Sequence, residues 1–280
     1  MRRMSSKTRV LVTNDDGIEH PGLHALAVHI ENSGRDVTVV APDFNASGLS
    51  AALGTITAGL PIALKEQTID GFNGRAYGLN APPATCVLIG QLGAFGVDFD
   101  VVVSGINDGF NTGRSVLHSG TVGAALAAQN FGMRGLAVST SQTDPIHWQA
   151  AAHYAVVVLS ALELASPRCT VNLNVPSLPV NEIKGIRWGG MAPFNNIRST
   201  IGEQTDEHVI LKMAPPPSPP EADTDLGLAL NGYASVTSIH AGSEVWSEHI
   251  QPNDEFDPAL PIPAVTAGDE LRPARTYLPR

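Results

Sequence analysis

With 280 residues and 43% apolar content, the chain can bury one substantial core, and its length suits one large domain with an appendage better than two equal domains. Its formal net charge of −10 argues against long nucleic acid, whose phosphates recruit basic surfaces, so a phosphate-bearing partner should be small and held by local chemistry. Cys86 and Cys169 stand alone, which excludes a thiolate zinc site and a dense disulfide framework.

Near the start, Arg2-Arg3 is followed by Ser5-Ser6-Lys7-Thr8 where a signal peptide needs an apolar stretch, so a cytoplasmic protein is expected. Val10–Thr13 reads as a buried strand, and Asp15-Asp16 stands at its mouth just before the turn-former Gly17. Adjacent carboxylates repel, so a pair kept ionised at a strand end holds a cation or shares a proton. The competing reading is an N-cap for the next helix, and the pair alone does not decide between the two.

That helix follows Pro21, with Leu23, Leu26, Ala27 and Ile30 on one face. A strand at Val37–Ala41 leads into Pro42-Asp43-Phe44-Asn45-Ala46-Ser47-Gly48, which sets a hydroxyl beside a flexible glycine. The pattern then predicts a helix at Cys86–Phe95 and a strand at Val101–Ser104, followed by a small polar loop with Asn107 and Asn111. Ser119-Gly120-Thr121 opens an Ala-rich helix over Thr121–Phe131, whose free N–H groups could receive a phosphate or be capped by Ser119. A strand at Leu136–Ser139, a helix at Trp148–Ala165 and a strand at Val171–Val175 complete the series. Within that last helical segment His153, Tyr154, Ser160 and Glu163 interrupt the apolar run, which argues against a membrane span.

Strands such as Val101-Val102-Val103 lack alternation, as a sheet covered on both faces requires. The expected fold is therefore α/β: a three-layer α/β/α, Rossmann-like, doubly wound and mostly parallel sheet over residues 1–176. Ile183–Trp188, His208–Met213 and Ala234–Ile239 read as strands of a C-terminal antiparallel β extension over 177–250. The proline-rich run 214–220 should be a surface loop or stiff spacer, and 251–280 an irregular Pro-rich tail.

Open sheets bind ligands beyond the carboxyl ends of their strands, where Asp15-Asp16 falls. Oxygen and amide donors without cysteine suit Mg²⁺ or Mn²⁺, with Ca²⁺ as an alternative occupant. Gly109-Phe110-Asn111-Thr112-Gly113-Arg114-Ser115 imitates a P-loop, but its glycine gap is one residue short and Arg114 replaces the lysine. There is no G-x-S-x-G elbow, no H-E-x-x-H, and no G-x-G-x-x-G after the first strand.

Four segments in order resemble the SurE (survival protein E) family of nucleotidases. They are Thr13-Asn14-Asp15-Asp16-Gly17-Ile18 with Pro21-Gly22-Leu23, Ala41-Pro42-Asp43 with Ser47-Gly48, Val103-Ser104-Gly105-Ile106-Asn107-Asp108-Gly109, and Ser119-Gly120-Thr121-Val122-Gly123-Ala124-Ala125. The resemblance implies a metal-dependent phosphomonoesterase acting on nucleoside 5′- and 3′-monophosphates. It assigns one divalent ion per subunit to Asp15, Asp16, Ser47 and Asn107, and it implies a homodimer or homotetramer built through the segment after Pro176.

The expected mechanism is direct attack of metal-bound water on phosphorus, with Asp15 or Asp16 as proton acceptor and Asn111, Ser119, Gly120 and Thr121 at the phosphate. An aspartyl-phosphate route would need a second Asp two residues after Asp15, where Gly17 stands. The chain departs from the family pattern at Phe44, Ala46, Thr85 and at Leu126-Ala127, which keeps open a nucleotide-binding or scaffold protein with weak or lost turnover. Phe44 reads first as a packing residue and second as a platform for a base.

Overall fold

The computed structural model describes residues 7–193, 198–215, 218–241, 243–244 and 272–273. Its elements, in chain order, are β1 (Arg9–Thr13), α1 (Pro21–Asn32), β2 (Asp36–Pro42), β3 (Leu64–Gln67), β4 (Arg75–Leu79), α2 (Pro83–Gln91), β5 (Val101–Asp108), α3 (Gly120–Asn130), β6 (Arg134–Thr140), α4 (Trp148–Leu162), β7 (Thr170–Val175), β8 (Ile186–Trp188), β9 (Arg198–Gln204), β10 (Val209–Ala214), α5 (Asp225–Leu230) and β11 (Ala234–Ile239).

Val10, Leu11 and Val12 are all fully buried because β1 lies in the middle of a sheet covered on both sides. Val10 and Val12 pack with Leu23, Leu26 and Ile30 of α1 and with Ala151, Ala155 and Leu159 of α4. Leu11, between them, faces the opposite layer, where it joins Val102 of β5, Val87 of α2, and Ala124 and Ala128 of α3. The period of two along each strand thus sorts the apolar side chains into two cores. Truncating Leu23 or Leu26, each fully buried, to alanine costs about 2–5 kcal/mol by lost burial and cavity formation.

The nine-stranded sheet runs β3-β4-β2-β1-β5-β6-β7-β11-β8. From β4 across to β7 every neighbouring pair is parallel. The chain leaves β1 toward β2 and β4, then returns to lay β5 on the other side of β1, so the winding reverses between β1 and β5. The doubly wound α/β expectation stands.

After β7 the sheet continues with β11 antiparallel to it and β8 parallel to β11, while β9 and β10 form a separate antiparallel hairpin. The expected strand at Ile183–Trp188 shortens to Ile186–Trp188, because Gly185, at φ +108°, breaks the extended backbone just before it. β5 outruns its expected end at Ser104 and carries Asn107 and Asp108 to the rim through a register shift after Ser104. α2 starts three residues early, since Pro83 is accepted in a first helical turn. Pro215 and Ser218–Pro220 are irregular, as the proline run requires.

Contacts divide the chain into a unit spanning Met1–Ile239 and another spanning His240–Arg280. In the second, Ser243–Glu244 pairs antiparallel with Arg272–Pro273; the rest of the expected tail lies outside the described residues.

Candidate active site

The carboxyl end of β1 is shaped by Asn14. Its Nδ2 donates to the Gly17 carbonyl at 2.9 Å and its Oδ1 accepts the Gly17 N–H at 3.2 Å, closing a tight turn around the two aspartates. Gly17 has φ +109°, a conformation that side chains rarely adopt, so the motif needs glycine there for its backbone.

Asp15 is buried against the first turn of α3. Its Oδ1 accepts the Thr121 hydroxyl at 2.5 Å, and its carbonyl accepts the Ala46 N–H at 2.6 Å. A Cβ on Gly120 would stand 2.7 Å from both Cβ and Oδ2 of Asp15, so only glycine lets the helix approach this closely. The positive end of the α3 dipole thus meets the carboxylate.

Asp16 has no such support. Its Oδ2 is buried and makes no hydrogen bond. Burial first, then the negative charges of Asp15 and Asp108, push its carboxyl up to about 7. His20 Nδ1 lies 3.9 Å from Asp16 Oδ2 and also accepts the Gly22 N–H at 3.2 Å, capping α1. The imidazole meets Trp148 edge-on at 5.2 Å, and its burial lowers its pKa below the ordinary 6.5. Asp16, His20 and Asp108 each present one donor atom, all within 4.8 Å of one another.

Ser47 and Asn107 follow or end the two strands that flank β1. Ser47 is exposed, with its N–H on Asn45 Oδ1 at 2.9 Å, and its loop is tied to Asp15 through the neighbouring Ala46. Asn107 spends an Nδ2 proton on the Gly109 carbonyl at 2.8 Å, which orients the amide and leaves Oδ1 as its acceptor. The candidate ligands therefore come from three adjacent strand ends at the point where the winding reverses.

The candidate phosphate residues divide. Ser119 caps α3, its hydroxyl accepting the Val122 N–H at 3.1 Å, and the N–H groups of Gly120 and Thr121 stand in the first turn, where no intrahelical carbonyl reaches. Asn111 is bonded toward β6 and β7. Its Nδ2 donates to Ser139 Oγ at 2.9 Å, its N–H goes to Asn174 Oδ1 at 2.9 Å, and its carbonyl accepts from Asn172 and Asn174 at 2.7 and 3.0 Å. The next stretch is fixed by the buried Asp225, which accepts from Gly113, Ala192 and Leu226. Burial raises the Asp225 carboxyl despite these three bonds.

A divalent cation fits this constellation on two grounds. The Asp16 Oδ2 atom is buried without a partner, and each charge that acts on the Asp16 carboxyl is itself negative. A hard cation relieves both costs at once. His20 and Asp108 have no assigned role in the sequence pattern; the available signals are a histidine four residues after Asp16 and a carboxylate next to Asn107.

The family model described as Survival protein SurE matches residues 10–196. A 5′/3′-nucleotidase SurE of Citrobacter koseri is 35% identical over 254 residues, covering 89% of this chain and 96% of its own length. A 5′-nucleotidase SurE of Nitratidesulfovibrio vulgaris is 41% identical over 180 residues, covering 64% of this chain and 65% of its own length. Among solved structures, the SurE protein of Aquifex aeolicus superimposes with a TM-score of 0.68 at 31% identity, covering 83% of this chain and 93% of that one. These likenesses, together with the convergence of the four motifs at one end of the sheet, establish that the chain belongs to the SurE family.

Proposed function

We propose that this chain is a metal-dependent phosphomonoesterase that hydrolyses nucleoside 5′- and 3′-monophosphates to nucleoside and phosphate. The observation that carries this reading is the buried, unpartnered Asp16 Oδ2 beside Asp15 at the reversal of the sheet. The relatives that bear nucleotidase names support it.

Asp15, Asp16, Ser47 and Asn107 hold one divalent ion per subunit, Mg²⁺ or Mn²⁺ by donor chemistry, with Ca²⁺ as an alternative occupant. When bound, the ion supplies the positive charge that offsets charge building on the phosphoryl oxygens and acidifies a water. The protein does the remaining work. The Thr121 hydroxyl and the Gly120 approach fix Asp15, and the N–H groups of Gly120 and Thr121 receive phosphoryl oxygens. Asn111 and Ser119 hold the loop and helix start that frame the phosphate. The carboxylate of Asp15 or Asp16 takes a proton from the attacking water, and that proton passes to the nucleoside oxygen as its bond to phosphorus breaks.

The scaffold alternative rests on four departures from the family pattern, and packing absorbs three of them. Ala46 is buried with its N–H on Asp15, the Thr85 hydroxyl donates to the Leu53 carbonyl at 2.6 Å, and Ala127 sits in the α2/α3 core. Residues 1–176 then form the catalytic core, with 177–250 completing it and serving the oligomer and 251–280 as a tail. The exposed Ile201, Val209, Leu211 and Met213 of the β9–β10 hairpin support a homodimer or homotetramer, which light scattering would measure. Among the described residues no helix is long and apolar enough to cross a membrane, and a cytoplasmic location is part of the same reading.

Phosphate release from a panel of nucleoside monophosphates, with and without Mn²⁺, tests the proposal. The wild type should turn over only with metal, and Asp15→Asn should not turn over at all. Full activity of Asp15→Asn in metal-depleted buffer would overturn it.

A further inference from the structure

We infer that Asp16, His20 and Asp108 form a second divalent-cation position, one with an imidazole nitrogen among its ligands. The inference rests on the metal-dependent reading above and adds to it.

Three observations place this position. First, the donor atoms of Asp16, His20 and Asp108 lie within 4.8 Å of one another, and this close group does not include Asp15. Second, the Asp16 side chain is only 7% exposed, and its Oδ2, the oxygen 3.9 Å from His20 Nδ1, is buried without a hydrogen bond. An ionised oxygen held in this way lacks a counter-charge on the His20 side. Third, Nδ1 carries a lone pair rather than a proton, since it accepts the Gly22 N–H. That bond spans 3.2 Å, at the long end for N–H donors, so exchanging it for a metal bond gives up little. Asp16 would then be shared between the two cation positions. Such sharing is how two-cation phosphate sites are built.

The donor set specifies the ion. Mg²⁺ and Ca²⁺ prefer oxygen, whereas imidazole suits later first-row ions such as Zn²⁺ and Ni²⁺, and Mn²⁺ accepts one imidazole within a carboxylate set. A site with His20 in it should therefore separate first-row transition ions from Mg²⁺, which four oxygen donors alone would do weakly.

The test uses metal-free full-length protein, with calorimetric Mn²⁺ titration and pulsed electron paramagnetic resonance of bound Mn²⁺. The wild type should bind two equivalents and show coupling to an imidazole ¹⁴N. His20→Asn keeps an acceptor to cap α1 while removing the imidazole, and its thermal melt checks folding. It should bind one equivalent, without nitrogen coupling. Asp108→Asn should weaken the second equivalent about tenfold or more. A single equivalent in the wild type, or nitrogen coupling that survives His20→Asn, would overturn the second position. Asp15→Asn separates the two ideas. A single ion lost in Asp15→Asn and indifferent to His20→Asn sinks only this inference, whereas Mn²⁺ binding that ignores Asp15 sinks the underlying reading as well.

Discussion

The Thr121 hydroxyl donates to Asp15 Oδ1 at 2.5 Å, joining the end of β1 to the first turn of α3 across 106 positions of sequence. Both residues are buried, so the bond cannot be exchanged for one to water. Thr121→Val keeps the shape and removes the donor. It should lower kcat/KM about 10- to 100-fold and weaken Mn²⁺ binding, while Thr121→Ser should stay within a few fold of wild type. Steady-state kinetics and metal titration on the same preparations would check this.

Gly120 offers a second route to the same carboxylate. A methyl group there would collide with Asp15 at 2.7 Å, so Gly120→Ala should displace Asp15 or tilt α3. Phosphatase activity should fall more than about tenfold, with circular dichroism unchanged in shape.

The pH response of the metal-free protein follows from Asp16, whose carboxyl rises from 3.8 to about 7 through burial first and then Asp15 and Asp108. Between those values the unfolded chain has released the proton that the folded protein still holds, so stability falls as pH rises across that window and levels off above it. Thermal melts of metal-free wild type should lose at least ~3 °C over the window, and Asp16→Asn should flatten the profile. Excess Mn²⁺ should restore the wild-type melting temperature at the upper end.

Phe44 is 38% exposed, and its carbonyl lies beside the position a Cβ would take on Gly17 in the aspartate turn. Its two readings, packing residue and platform for a base, predict different outcomes for one substitution. Phe44→Ala should raise KM for nucleoside monophosphates about fivefold while leaving KM for a small phosphomonoester without a base nearly unchanged. Equal effects on both substrates would assign the ring to loop packing.

The central α/β architecture was legible because β-branched runs and one clear amphipathic helix carry strong periodic signals. Leu23, Leu26, Ala27 and Ile30 are all fully buried, as their spacing requires. The edge strand β3 and its neighbour β4 were not legible: Leu-Lys-Glu-Gln and Arg-Ala-Tyr-Gly-Leu mix charge and glycine, and their strand form comes from pairing with β2 and with each other. β9 carries no strand signal for the same reason, its polar sequence being held by β10. At the site, composition marked the paired aspartates as costly, but the work of Asn14, Gly120 and Thr121 depends on contacts between distant segments. Asp108 lies within the Val103–Gly109 motif and His20 four residues after Asp16, but only the fold sets the two beside Asp16.

The most direct measurement is a crystal structure of the protein soaked in Mn²⁺, read by anomalous scattering. The account requires a peak within about 2.3 Å of carboxylate oxygens of Asp15 and Asp16, with Ser47 and Asn107 completing the shell. A protein that releases phosphate from nucleoside monophosphates yet shows no peak at those aspartates would contradict it.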